Sequence, residues 1–198
     1  KALSTPDDLS KYHRTTIMID LMVTRNSDPY LWECMKRHYS EPRGFVGRNI
    51  CYAIFYEGVY FGHTVGGSAT KHLPGRDEYL GVDKASLNNV VNNNFFHVYP
   101  PHGKYPIRNF TTKVVQLFEK VIQIDWFKKY GDEVIGFETL VEKPRTGELY
   151  LKAHWEVVGE TKGFTCKRVA GNGTDSWTGK RVWDTENLRP KLILCRRS

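Results

Sequence analysis

The chain has 198 residues with 40% hydrophobic and 13% aromatic content, enough for one full core and too much for a disordered tail or a coiled coil. Lys and Arg number 29 against 22 Asp and Glu, and the resulting charge of +7 favours polyanions, nucleic acid first, through counterion release. No run approaches ~18 apolar residues and the start Lys1-Ala2-Leu3-Ser4 has no apolar leader core, so the expectation is a single cytoplasmic domain over 1–198 with no membrane span.

Thr15 to Val23 is β-branched and apolar and reads as a strand. Ser27-Asp28-Pro29 then offers a cap and a proline for the first turn of a helix running to about Tyr39. Ile50 to Tyr56 turns at Glu57-Gly58 into Val59 to Gly66, a hairpin. The polar stretch from Ala69 to Lys84 reads as irregular. Val90 to Tyr99 is a further strand, closed by Pro100-Pro101. Asn109 stands as N-cap of an amphipathic helix from Phe110 to Tyr130, whose apolar residues Val114, Leu117, Phe118, Val121 and Ile122 recur three or four apart. Gly131 stops it. Next come a strand at Val134 to Val141, a short helix at Glu148 to His154 and a strand at Glu156 to Thr161. A glycine-rich loop from Gly171 to Trp183 leads to a last strand, Lys191 to Cys195. This order predicts an α/β fold with a mixed sheet and helices on both faces, its ligands at the carboxyl ends of the parallel strands.

Several residues have the chemistry of a site. Asn88, Asn89, Asn92, Asn93 and Asn94 crowd a strand, where asparagine is disfavoured. Their amides suit base edges or donor groups; the alternative is a bulged segment closed by local Asx bonds. Arg108 and Asn109 precede a helix start that attracts anions, with Tyr99 beside them at the end of the strand. Glu138 ends an apolar strand, where desolvation raises a carboxyl pKa and makes a general base, unless it is a structural partner for Arg108. Tyr150 lies within reach as acid or orienting group. His38 titrates near neutrality, with a helix C-cap role as its alternative. Basic pairs at Lys167-Arg168 and Lys180-Arg181, with Trp177 and Trp183 interleaved, suit phosphates and unstacked bases. The histidines have no HxxxH or HExxH spacing, so no metal site is expected. Cys34, Cys51, Cys166 and Cys195 form no CxxC pair and read as reduced thiols.

His38-Tyr39-Ser40, the hairpin Phe55-Tyr56-Glu57-Gly58-Val59-Tyr60-Phe61-Gly62 and the segment Gly147 to Trp155 resemble the phage Mom proteins, which attach a carbamoylmethyl group to adenine in DNA. Val90-Val91-Asn92-Asn93, Phe95, Asn109, Asp125-Trp126, Tyr130-Gly131, Glu138-Thr139, Tyr150 and Gly159-Glu160-Thr161-Lys162-Gly163 resemble the DruA proteins of Druantia anti-phage systems. Together the resemblances span about residues 36 to 163, and the basic, Trp-bearing tail from about 164 to 198 matches neither. They imply a GNAT-like fold and an enzyme that moves a small acyl- or aminoacyl-like group onto a base amino group of double-stranded DNA. Glu138 or Glu142 stands where Mom has an aspartate, and the target base must leave the stack. In that reading Glu138, Tyr150 and His38 are catalytic. Arg108, Asn109 and Tyr99 hold a small-molecule donor, while Asn92, Asn93, Lys167, Arg168, Trp177, Lys180 and Arg181 meet DNA. The usual GNAT phosphate loop, Arg/Gln-x-x-Gly-x-Gly/Ala, is absent, which leaves the donor open between an acyl-CoA and an aminoacyl carrier. Two other readings remain: a DNA-binding module without catalysis, from a defence system or mobile element, and a small-molecule N-acyltransferase.

Overall fold

A computed structural model describes residues 18–40, 42, 44–169, 180–184 and 186–198. Seven strands form one mixed sheet: β1 (Ile19–Thr24), β2 (Asn49–Tyr56), β3 (Val59–Ser68), β4 (Val90–Val98), β5 (Gly136–Glu142), β6 (Glu156–Glu160) and β9 (Lys191–Arg197), in the spatial order β1-β2-β3-β4-β5-β9-β6. A separate hairpin, β7 (Thr165–Val169) and β8 (Lys180–Asp184), is inserted between β6 and β9. The helices are α1 (Pro29–Arg37), α2 (Pro74–Leu80), α3 (Phe110–Tyr130) and α4 (Glu148–Lys152). The fold is the expected α/β class, with a mixed sheet covered on both faces.

One face carries α3 and α4. Phe118, Ile122 and Trp126 of α3 bury against Tyr52, Val91, Phe137 and Leu194, with Tyr150 and Trp155 in the same cluster. The other face carries α1 and α2. Leu31, Cys34 and Met35 of α1 pack on Cys51, Val65 and Phe95, while Leu73 before α2 meets Ile193 and Cys195. Burial on both sides explains the near-continuous apolar run of β2. Gly66 lets α3 close on the sheet, since a Cβ there would lie 2.0 Å from Ile122 Cδ1.

Two irregularities shape the centre of the sheet. A bulge interrupts the β3–β4 register between Val65 and Gly66, so Asn94 is the extra residue. It breaks the two-residue alternation: Asn93 points to the α3 face, whereas Phe95 packs under α1. The second irregularity is the parallel pairing of β4 with β5, which holds for Val90↔Gly136, Val91↔Phe137 and Asn92↔Glu138 and then ends. Beyond Asn92 the two strands diverge.

Local expectations are met at Asp28, which caps α1 by accepting from Tyr30 N at 2.8 Å, and at Gly131, which closes α3 in the left-handed region with φ 77°. Asn109 differs. It adopts φ 58° and its side chain makes no capping bond; only its carbonyl joins the helix, accepting from Lys113 N. The stretch expected to be irregular contains α2, opened by Pro74 at its first turn and closed by left-handed Gly81. Residues 180–183, expected in a loop, belong to β8. Cys34, Cys51 and Cys195 are buried free thiols, and no described helix is long and apolar enough to cross a membrane.

Candidate active site

The divergence of β4 from β5 opens a cavity of about 430 Å³ between their carboxyl halves. Its walls include Asn93 to Phe96 of β4, Thr139 to Val141 of β5, the loop Pro144 to Gly147, and Tyr150 of α4; His38 and Tyr39 close it from the end of α1. A smaller groove continues from it past Arg37, His97 and Tyr105 to Thr111 in the first turn of α3.

The inner wall is a fixed polar chain. Tyr150, 5% exposed, donates its hydroxyl to Asn93 Oδ1 at 2.6 Å, and Asn93 Nδ2 donates to Thr64 Oγ1 at 2.8 Å. Thr139 Oγ1 donates to the Asn93 carbonyl at 2.9 Å, stitching the two strands where their ladder has ended. Burial pushes the Tyr150 phenol well above its ordinary value. The group therefore keeps its proton at neutral pH, as a proton donor must.

His38 lies on the opposite wall. Its ring rests 4.3 Å from that of Tyr39 and 4.9 Å from Phe95, and Nδ1 is 2.8 Å from Ser40 Oγ. Burial, then the neighbouring His97 and Arg145, lowers its pKa to about 4. At neutral pH the imidazole is uncharged, and Nδ1 also accepts from the Ser40 main-chain N–H at 3.3 Å, the contact it must exchange to take up a proton. The structure thus brings His38 and Tyr150 onto one cavity, from opposite ends of the sequence.

Glu138 is not on that cavity. It is fully buried on the α2 face, ion-paired with the equally buried Arg76, and it accepts from Thr70 N at 2.6 Å. Its partner is Arg76 and not Arg108, which lies exposed ahead of α3 on the other face. The expectation of one pocket shared by Glu138 and Arg108 fails for that reason: consecutive residues of a strand face opposite sides, and Thr139 took the side with free volume. The carboxylate on the cavity's own lining is Glu148, paired with Lys152 at 2.6 Å, whereas Glu142, at the end of β5, lines the larger cavity on the α2 face.

Asn92 and Asn93 are only 7% and 3% exposed. Asn92 Nδ2 bonds Thr70 Oγ1 at 3.0 Å, so neither amide is presented to a nucleic acid. Asn109 and Arg108 are exposed but line neither the cavity nor its groove, while Tyr99 receives the Arg37 guanidinium 5.6 Å above its ring. Lys167 and Arg168 fall on β7 and Lys180 and Arg181 on β8, paired Arg168↔Arg181 and Val169↔Lys180. Trp177 lies outside the described residues. Arg37, His97, Thr139 and Arg145 also reach the cavity or its groove, and of these Arg145 had no signal in the sequence. Among the described residues no cluster of three or more His, Cys, Asp or Glu could hold a metal ion.

On the α2 face a second, larger cavity of about 920 Å³ meets the first at Leu140. Lys71, Lys162, Arg189 and Lys191 line it against two carboxylates, Glu142 and Glu160, and Glu160 is already paired with Lys143 at 2.6 Å.

No family model and no curated protein matches the sequence. Solved structures do match in fold. An aminoglycoside acetyltransferase in complex with coenzyme A and kanamycin superposes with a TM-score of 0.55 at 13% identity, covering 91% of this chain and 95% of its own. A Bacillus subtilis acetyltransferase in complex with CoA gives 0.53 at 13% identity, covering 91% and 99%. A GNAT family acetyltransferase from Elizabethkingia anophelis with acetyl-CoA bound gives 0.50 at 12% identity, covering 91% and 98%. The chain therefore has a GNAT-like fold.

Proposed function

We propose that the protein transfers an acyl-type group from an activated donor, seated in the wedge between β4 and β5, to an amine entering from the α2 face. The observation that carries this reading is the wedge itself: two parallel strands that stop pairing, with a protonated, buried phenol on one wall and a neutral imidazole on the other. In the reaction the amine nitrogen forms a bond to the acyl carbon, and the bond from that carbon to the leaving heteroatom breaks. Tyr150 Oη gives its proton to the leaving group. His38, with Glu142 on the α2-face cavity as the other candidate, takes the proton the amine must lose. Glu138 has no part in these steps and serves as a structural counter-charge.

A small amine is the acceptor this fold most directly suggests. A second reading, transfer to a base amino group of duplex DNA, draws on one specific observation. Four cations against two carboxylates line the α2-face cavity, and Lys167, Arg168, Lys180 and Arg181 fall in sequence on the β7–β8 hairpin, which follows Phe164 of that lining. Such a lining repels polyamines and suits an amine held in a phosphate frame. The resemblance to Mom and DruA proteins points the same way.

The test is to incubate the protein with acetyl-coenzyme A and, in parallel, with a charged aminoacyl carrier. Acceptors are a panel of small amines and duplex DNA, and the readout is mass analysis of amines and digested nucleosides. A product mass that disappears with Tyr150→Phe supports the transferase, and its acceptor decides between the two readings. Duplex binding with no product from any pair leaves only a binding module.

A further inference from the structure

We infer that the wedge carries its own anion site, built from Arg37, His38, His97 and Arg145, and that this site takes the phosphate-bearing end of the donor and makes His38 a stronger base as it does so. The inference rests on the transfer reading and adds the donor's charge to it.

Three separate elements supply the groups. Arg37 closes α1, His97 stands on β4, and Arg145 lies in the loop between β5 and α4. The two imidazoles are 5.9 Å apart between ring centres. Arg145 sits 3.6 Å above the ring of Tyr39, itself stacked beside His38, while Arg37 covers Tyr99, 6.0 Å from His97. Two guanidinium groups thus bracket an imidazole pair, each resting on an aromatic ring and neither in an ion pair among the described residues. The carboxylates around them are otherwise engaged or displaced. Glu33 holds Lys36 at 2.7 Å, Glu148 holds Lys152 at 2.6 Å, and Glu142 acts on Tyr39 from the other cavity.

Positive charge therefore gathers on this cavity without an ion pair to Arg37 or Arg145, although Glu33 acts on Arg37 at longer range and Glu148, paired with Lys152, lies on the lining. Burial first, then His97 and Arg145, hold His38 towards its neutral form, and burial followed by Arg37 does the same for His97. A doubly charged oxyanion reverses that field, since a guanidinium fork grips two oxygens and an anion beside an imidazole favours the imidazolium. Side chains here do the work that main-chain amides do in a glycine-rich phosphate loop, which this chain lacks. Tyr39 and Tyr105 contribute aromatic edges to the groove beside these cations. An empty wedge holds a weak base; an occupied one holds a base whose pKa approaches the working pH, so proton removal waits for the donor.

Sulfate is the probe, because its charge is constant across the range of interest. It is titrated into the full chain at pH 7 and pH 5 while histidine ring resonances are followed by NMR, with His38→Gln identifying the His38 signal. The expected result is a His38 midpoint climbing from about 4 in free protein towards ~6 at saturation, with sulfate bound about tenfold tighter at pH 5 than at pH 7. Arg37→Gln and Arg145→Gln each weaken sulfate and together abolish it, whereas Arg108→Gln leaves it unchanged; all three side chains are exposed, so the fold is retained. Affinity that is flat with pH, or that falls with Arg108→Gln and survives the double change, overturns the inference. Such failure is separable from failure of the transfer reading, which is judged on product mass and needs no sulfate.

Discussion

Glu138 and Thr139 are neighbours on one strand and meet opposite fates. Glu138 turns towards α2 into a space filled by Arg76 and the Thr70 amide; Thr139 turns towards α4, where β4 has parted from β5 and a cavity is left. A carboxylate near a strand end looks like a general base, and burial does raise the Glu138 pKa, with Arg76 opposing it. Burial alone confers no access to substrate. What decides is which face keeps free volume, and that depends on the splay of the strands and on the helix that covers each side.

The contrast can be broken most forcefully from the closed side. Arg76→Ala leaves a buried carboxylate without its counter-charge, so stability in urea unfolding is expected to fall by about 3–5 kcal/mol. Glu138 is then free to neutralise itself by taking a proton. Its folded pKa rises further above the unfolded value, so the variant is least impaired in acid and loses stability as pH rises through the folded pKa. A constant deficit between pH 5 and pH 8 is the outcome against this account. Any transfer by the fraction that remains folded proceeds with unchanged KM.

From the open side the effects move from stability to chemistry. Tyr150→Phe removes one hydrogen bond and leaves Asn93 Oδ1 without its donor, a loss of about 1–2 kcal/mol in unfolding. The rate constant kcat is expected to fall about 100-fold or more with KM little changed, as for loss of a proton donor. Thr139→Val keeps the volume and deletes only the stitch to the Asn93 carbonyl, at about 1 kcal/mol. Equal losses of stability in Arg76→Ala and Tyr150→Phe would erase the distinction between the two faces.

The elements were legible where the signal is local. Apolar spacing in Phe110 to Tyr130 matches α3 residue for residue, and Glu57-Gly58 turns the β2–β3 hairpin as its composition predicts. α2 was missed because a polar, glycine-bearing stretch hides a buried arginine; Pro74 and Gly81, seven residues apart, were the available signs. His38 and Tyr150 were picked out by their chemistry, and only the fold brings them to one cavity. Glu138 was misread since partner choice is a tertiary fact: the guanidinium that reaches it comes from the helix the sequence concealed. Asn92 and Asn93 alternate onto opposite faces and are buried because helices or loops cover both; the bulge that the asparagine run allowed for falls one residue later, at Asn94, and turns Phe95 under α1.

A purely pH-dependent effect concerns the wedge wall opposite Tyr150. His38 has an ordinary pKa near 6.5 when unfolded and one of about 4 in the fold, so its neutral form is the one the native state prefers. Above pH 6.5 neither state binds the proton and the His38 contribution is fully present. As pH falls through that value the unfolded chain takes up a proton that the folded one refuses, and stability drains away until about pH 4 is reached. His38→Gln should flatten that part of the curve, while saturating sulfate, by restoring charge to the folded imidazole, should flatten it in the wild type as well. The two treatments act on one group by different means, so they should not add. Additive flattening would mean that sulfate acts elsewhere, and the open face would lose its claim to be the charged one.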